Sequence, residues 1–429
     1  MSLNDTPRSD RLHIGIFGRT NSGKSSLINA LTNQSIALVS NVPGTTTDPV
    51  YKSMEIHGIG PCVFIDTAGF DDTSDLGQLR IDKTCEALKK TDIALMVFAG
   101  PPSPVELEWI GTLKKAAIPV ISVLNKCDTA HTKDIEVSAN DSMDSADATA
   151  AIENADAAEI ADATERSLVT AAIEAAGGTA PIAVSALTGA GIDDLRQAII
   201  RALPQDYEAY SITGDMVFPG DTVLLVMPQD IQAPKGRLIL PQVQTLRELL
   251  DKKCIVTSCT TDMLEGALAS MRQPPKVIIT DSQAFKTVYE QKPAQSRLTS
   301  FSVLFAGYKG DMAYFREGAA AIAALTPDSR VLIAEACTHA PLSEDIGRVK
   351  IPAMLRKKIG QTLAIDMVSG QDFPRDLTPY DLIIHCGACM FNRKYVLSRI
   401  EAAKSQGIPM TNYGITIASL QGILDKIDF

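Results

Sequence analysis

The chain has 429 residues, 45% hydrophobic and 21% charged, which excludes both a mini-protein with too small a core and a largely disordered chain. Its 40 Lys and Arg face 51 Asp and Glu, for a formal charge of −11, which argues against a broad electrostatic grip on nucleic acid or an anionic membrane surface. Eight cysteines are scattered behind an N-terminal tail, residues 1–11, that has no apolar signal core, so reduced thiols in a cytoplasm fit better than a secreted disulfide framework. No window approaches the roughly 18 consecutive apolar residues of a membrane span.

At roughly 150 residues per domain the length suggests about three domains. Residues 12–204 alternate short apolar strands with amphipathic helices, as an α/β domain with a largely parallel sheet does. Its expected strands are His13–Phe17, Cys62–Asp66, Ile93–Ala99, Val120–Asn125 and Ile182–Ser185. Within it, residues 129–180 carry 11 Asp or Glu against 2 Lys or Arg, so most of the net charge is local. Ile152, Ile160 and Leu168 recur on one expected helix face that ends near Gly177-Gly178. The segment reads as a solvated, low-complexity insertion, with a docking surface for a basic partner as the sharper alternative. A second block, 205–293, has expected strands at Val223–Met227, Cys254–Thr257 and Lys276–Thr280 and a helix over Val243–Lys253. The third, 294–429, has expected strands at Ser302–Phe305, Val331–Glu335, Leu363–Met367, Asp381–His385 and Pro409–Thr411.

Directly after the first strand stands Gly18-Arg-Thr-Asn-Ser-Gly23-Lys24-Ser25-Ser26, the G-x-x-x-x-G-K-S phosphate loop in its strand-to-helix context. Its backbone N–H groups, those of Asn21 and Ser22 included, wrap phosphates, Lys24 pairs with the β and γ phosphates, and Ser25 ligates Mg2+. Asp66-Thr67-Ala68-Gly69 ends another strand, so Asp66 can reach the magnesium through water and the Gly69 N–H can contact the γ-phosphate. Asn125-Lys126-Cys127-Asp128 ends a third. A carboxylate at Asp128 accepts the two N–H groups that guanine offers and adenine lacks, Lys126 packs its stem along the ring, and Ser185-Ala186-Leu187 offers backbone N–H to the guanine oxygen. The nucleotide is therefore GTP.

Together with Thr46 in Gly44-Thr-Thr-Thr-Asp48, these motifs resemble a translation-factor-class small GTPase domain over residues 12–204. The resemblance implies that Thr46 joins Ser25 on magnesium and that Lys24, Asn21, Thr46 and Gly69 act in catalysis. Phe70 stands where Ras-like proteins have a water-orienting Gln. Asn21 resembles the asparagine of potassium-activated GTPases, in which it coordinates K+ beside the phosphates.

In the third block two strand ends carry metal-ligand residues: Cys337-Thr-His339, and, after 45 intervening residues, His385-Cys386-Gly-Ala-Cys389. Three thiolates with imidazole suit zinc or an iron–sulfur cluster, and a Cys-x-x-Cys alone can be a redox pair. The remaining cysteines read as packing residues. Both halves of this motif behind the guanine motifs closely resemble the GTPase maturation factors of FeFe-hydrogenases, over essentially the whole chain.

That resemblance implies an N-terminal P-loop GTPase domain followed by two smaller α/β domains with largely parallel sheets. The middle one would be dimerisation-type, giving a homodimer, and the last would hold a 4Fe-4S cluster on Cys337, Cys386 and Cys389. Glu344, His339 and His385 are the candidates for the fourth position. The implied partners are radical-SAM maturases and apo FeFe-hydrogenase. Other readings are a GTPase with a structural zinc domain, a GTP-controlled thiol oxidoreductase, and a tRNA-modifying relative, the last disfavoured by charge.

Overall fold

The computed structural model describes residues 7–32, 50–56, 60–69, 77–128, 166–203, 210–228, 238–336, 345–370 and 372–429. The chain divides into two units, Met1–Gln205 and Asp206–Phe429. Among the described residues no helix is long and apolar enough to cross a membrane.

In the first unit β1 (Leu12–Phe17), β2 (Val50–Ile56), β3 (Gly60–Asp66), β4 (Ile93–Phe98), β5 (Val120–Leu124) and β6 (Ile182–Ala183) form one sheet in the order β2-β3-β1-β4-β5-β6. Every neighbouring pair is parallel except β2 with β3. β1 and β4 are buried at every position, which explains their unbroken apolar runs: both faces of a parallel sheet are covered. Phe17, Met96 and Phe98 pack against Trp109, Ile110 and Leu113 of the helix Pro104–Lys115. Ser103 starts that helix through a reciprocal cap, its hydroxyl accepting the Glu106 N–H while the Glu106 carboxylate accepts the Ser103 N–H. The five strands expected here are present. β2 escapes the pattern because Lys52, Ser53 and Glu55 break its apolar run, which an edge strand tolerates.

Residues 166–175 are helical. Val169 and Ile173 enter the core beside Phe98 and Leu113, whereas Leu168 is 68% exposed. The expected face through Leu168 is thus wrong by one residue, and Ile152 and Ile160 lie outside the described residues. The helix stops at Gly177, φ +85°, where the Gly178 N–H reaches the Ile173 carbonyl at 2.8 Å, the expected glycine ending. Thr179 Oγ1 accepts the Ser122 N–H, so this end of the segment is tied to β5.

The second unit holds two four-stranded sheets. β7 (Thr222–Val226), β8 (Ile255–Cys259), β9 (Val277–Thr280) and β10 (Arg297–Ser300) run in the order β10-β9-β7-β8, and β11 (Arg330–Glu335), β12 (Ala364–Ser369), β13 (Leu382–His385) and β14 (Met410–Asn412) in the order β12-β11-β13-β14. All pairs are parallel. One core joins both sheets, with Leu224, Val226 and Ile278 in the same cluster as Val331, Ile333 and Ile384.

The expected strand Ser302–Phe305 is instead the helix Phe301–Lys309, capped by Ser300, whose hydroxyl accepts the Val303 N–H. Its Val303 and Ala306 enter one core cluster and its Phe301, Leu304 and Phe305 another. A helix apolar on two sides gives a short continuous run that periodicity cannot tell from a buried strand. β10 was not expected either. It extends the second sheet past residue 293, and the chain end returns to it: the Thr299 hydroxyl donates to the Asp428 carbonyl and Arg297 pairs with the Asp428 carboxylate.

Glu248, on the helix Leu240–Asp251, fixes residues 211–213. Its carboxylate accepts the N–H groups of Ile212 and Thr213 and the hydroxyls of Ser211 and Thr213. Burial alone pushes the carboxyl up, but these donors outweigh it and hold the pKa below the ordinary Glu value of 4.5. A depressed carboxyl stabilises the fold above its unfolded pKa and loses that contribution as pH falls through the folded value. Glu248→Gln is therefore expected to cost about 1.5–3 kcal/mol at neutral pH, measured by urea denaturation, with the gap from the parent narrowing below about pH 4. A gap of constant size across that range contradicts the assignment.

Candidate functional site

β1 delivers the chain into the loop 18–23 and then into the helix Lys24–Thr32. Two glycines are required sterically. A Cβ on Gly18 would meet the Val97 carbonyl oxygen at 2.4 Å, and one on Gly23 the Asn125 amide nitrogen at 2.2 Å, with φ values of +152° and +89°. Asn21 takes the left-handed conformation at φ +61° and is exposed. The buried Lys24 ammonium donates to the carbonyls of Gly18 at 2.9 Å and Arg19 at 2.7 Å, so it lies folded over the loop it serves.

Ser25 Oγ donates to Asp66 Oδ2 at 2.7 Å, which brings together two groups expected at magnesium. The other Asp66 oxygen, Oδ1, is buried and, among the described residues, has no hydrogen-bond partner. Burial pushes the Asp66 carboxyl up against the pull of the Ser25 hydroxyl and the Lys24 charge. An orphaned carboxylate oxygen beside a hydroxyl fits a hydrated divalent cation, which satisfies both. Gly69 packs on the phosphate loop so closely that a Cβ there would meet the Thr20 nitrogen at 2.5 Å. Thr46 and Phe70 lie outside the described residues. The sequence reading did not single out Arg19, which the fully buried Glu106 holds at 3.1 Å.

On the base side Asn125 is the joint. Its amide donates to the Ser22 carbonyl at 3.0 Å, and its amide oxygen accepts the Ala186 N–H at 3.1 Å. The Ala186 N–H expected at a guanine oxygen is thus held by Asn125 here. Ser185 is buried and its hydroxyl accepts the Thr188 N–H, while Leu187 is 84% exposed. Lys126 is exposed at φ +65°. Asp128 is half-buried, two residues beyond Lys126. Ser26 is the third residue of the helix Lys24–Thr32, after Lys24 and Ser25.

At the other site β11 and β13 are adjacent, with Ala334 opposite His385, so their C-terminal ends release residues 336 and 386 side by side. Cys337, His339 and Glu344 lie outside the described residues, and among those described no three His, Cys, Asp or Glu side chains converge as a metal site. Cys386 Sγ accepts the N–H of Ala336 at 3.0 Å and of Ala388 at 3.4 Å. Such backbone donors aimed at one sulfur favour a thiolate, whereas burial in the metal-free protein pushes the thiol up to about 11. A turn that presents two cysteines, one cradled by N–H groups, fits a thiolate-ligated cluster. The left-handed residue of that turn is Ala388, φ +47° and 1% exposed.

His385 is corrected as a cluster-ligand candidate. Its Nε2 accepts from Arg399 at 3.0 Å, which leaves the proton on Nδ1 to donate to the Cys386 carbonyl at 2.7 Å. Neither nitrogen is open to iron. Burial, then the Arg399 charge, lowers its pKa to about 3, so the ring is neutral. Arg399 carries no sequence signal, since it is one of several cations on an ordinary helix.

Residues 13–126 match the family model described as the 50S ribosome-binding GTPase, residues 212–310 the hydrogen maturase F dimerization domain and residues 313–427 the hydrogen maturase F tetramerization domain. The latter two meet between residues 310 and 313, beyond the boundary expected near 293 and in accord with β10. GTPase Der of Wolinella succinogenes is 42% identical over 122 residues, 27% of this chain and 26% of that protein. The tRNA modification GTPase MnmE of Heliobacterium modesticaldum is 40% identical over 116 residues, 27% of this chain and 25% of that protein. The chain thus spans about a quarter of the length of these relatives. Among solved structures, a point variant of Aquifex aeolicus Era bound to GDP.AlF4- is 20% identical, with a TM-score of 0.34, over 58% of this chain and 92% of that one. A GTPase domain followed in order by both maturase domains leaves one conclusion: the chain belongs to the hydrogen maturase F family.

Proposed function

We propose that this protein is a GTP-hydrolysing scaffold that carries a 4Fe-4S cluster and assembles or delivers the diiron subcluster precursor to apo FeFe-hydrogenase. The observation that carries the reading is a phosphate loop and both maturase F domains on one chain, with Cys386 and Cys389 presented where parallel strands end. In such sheets ligands bind at the carboxyl ends of strands. Radical-SAM maturases would supply the precursor, in the cytoplasm, and the dimerization domain supports a homodimer.

Hydrolysis is in-line attack of water on the γ-phosphate. The N–H groups of residues 18–23 and the helix start at Lys24 hold the phosphates. Lys24 exchanges the carbonyls of Gly18 and Arg19 for the β and γ oxygens. Ser25, Thr46 and, through water, Asp66 would hold magnesium, which neutralises charge on the phosphates when bound. Gly69 contacts the γ-phosphate, and Asp128 reads the guanine. Asn21, exposed at a left-handed turn, suits a K+ beside the phosphates that takes the place of an arginine finger. The segments around Thr46 and Asp66 to Phe70 respond to the γ-phosphate and so bias partner association.

On the cluster side Cys337, Cys386 and Cys389 are the proposed thiolates, with Glu344 or His339 at the fourth position. Three thiolates leave one iron with an exchangeable ligand, the chemistry a scaffold needs to bridge to a precursor and release it.

Three outcomes are expected. Asn125→Ala frees both the phosphate loop and the Ala186 N–H, and weakens GTP binding tenfold or more, about 1.4 kcal/mol. Quenching of Trp109, the single tryptophan, stacked on Phe17, measures it, and an unchanged Kd contradicts the clamp. GTP turnover is faster in potassium than in sodium, and Asn21→Ala removes the difference; equal rates in the two salts exclude the potassium assignment. Anaerobic reconstitution loads about four iron and four sulfide per chain, lost in Cys386→Ser with GTP turnover retained, whereas stoichiometric zinc in place of iron overturns the cluster reading.

A further inference from the structure

The residues that shape the cysteine turn come from two different elements and are both buried cations. Lys309, the last residue of the helix Phe301–Lys309, is 2% exposed. Its ammonium donates to the carbonyls of Ala388 and Cys389 at 3.3 Å and of Phe391 at 2.8 Å, so three carbonyls of one turn converge on it. The turn answers in kind. Arg393, two residues beyond Phe391, donates to the carbonyls of Gly307 at 3.4 Å, Tyr308 at 2.8 Å and Gly310 at 3.1 Å, around the end of the helix that bears Lys309.

Arg399, 3% exposed, works from the other side. Its guanidinium donates to His385 Nε2 at 3.0 Å, to the Glu335 carbonyl at 3.5 Å, to the Gly370 carbonyl and to the Tyr395 hydroxyl at 2.8 Å. Glu335 ends β11, His385 ends β13 and Gly370 follows β12, so one side chain ties three adjacent strand ends. Phe373 and Tyr395 cover it at 4.8 and 4.7 Å. Among the described residues Arg399 forms no ion pair with a carboxylate. Neutral acceptors orient a buried charge without cancelling it, and such a charge is costly unless an anion lies near.

We infer that Lys309 and Arg399 are positioning residues of the cysteine centre, fixing the Cys386–Cys389 turn on the strand ends and supplying the positive charge that a thiolate-ligated cluster needs beside it. The inference rests on the cluster reading above. A reduced cluster is one electron more negative than the oxidised one, so nearby cations favour reduction and raise the potential.

The test uses the full chain, anaerobically reconstituted with iron and sulfide, and compares Lys309→Met, Lys309→Arg and Arg399→Lys with the parent. Readouts are iron and sulfide per chain, midpoint potential by EPR-monitored titration, iron loss to a chelator, and GTP turnover, which reports on the other unit. Lys309→Met is expected to move the potential to more negative values and to lose iron at least tenfold faster, with turnover retained. Lys309→Arg restores both. Arg399→Lys keeps the charge but not the fork, so it speeds iron loss and leaves the potential near that of the parent. In the metal-free chain, amide exchange over residues 386–391 rises at least tenfold in Lys309→Met, an effect that needs no cluster. A loaded parent whose potential, iron retention and exchange are all matched by Lys309→Met overturns the inference alone. A parent that takes up no iron and sulfide overturns the cluster reading and the inference with it.

Discussion

Parallel pairing is the constraint on which the chemistry of this protein depends. In each sheet every described pair is parallel except β2 with β3. Parallel strands bury both faces and need crossover connections, so their carboxyl ends share one edge and polar chemistry has few other places to go. The first sheet puts Gly18, Asp66 and Asn125 at the ends of β1, β3 and β5. The third puts Ala336 and Cys386 at the ends of β11 and β13. A slip of one residue in the β11–β13 register would turn His385 out of the core and part the two strand ends.

Holding such edges open to a ligand needs polar groups that are buried and satisfied. Asn125 spends both ends of its amide on backbone, joining Ser22 to Ala186, and Gly23 is glycine because that amide occupies the space of a side chain. Strain gathers at the same places. Among the described residues the positive-φ positions that are not glycine include Asn21, Lys126 and Ala388, one in each loop assigned to phosphate, base and cysteine. Ala117 and Lys253, the other two, follow helix ends, where a left-handed residue has an ordinary role. Non-glycine residues persist in that region when their surroundings over-determine them, and at Ala388 the surroundings are the Lys309 ammonium and the Cys386 sulfur.

The nucleotide motifs were legible because each residue type has a separate chemical reason to stand at its spacing, and the strands because buried parallel strands are unbroken apolar runs. The failures share a cause, which is that one chain carries no record of what packs on it. Phe301–Lys309 reads as a strand since two cores, and not one, claim its faces. Leu168 reads as buried since it continues the eight-residue spacing of Ile152 and Ile160, but Val169 takes the core position. His385 reads as a ligand beside Cys386, but Arg399, fourteen residues on, takes the nitrogen. Arg19 with Glu106, and Lys309 with its three carbonyls, are long-range pairs whose members look like surface charges until the fold brings them together.

The central claim is that GTP binding and a cysteine-held cluster serve one task on one chain. Its most direct measurement mixes apo FeFe-hydrogenase with this protein loaded in the presence of the radical-SAM maturases, and follows hydrogen evolution. The account predicts activation by the loaded parent and none by Cys389→Ser prepared in the same way with its GTP turnover intact. Activation that survives the loss of Cys389, or a loaded parent that leaves the hydrogenase inactive, would contradict it.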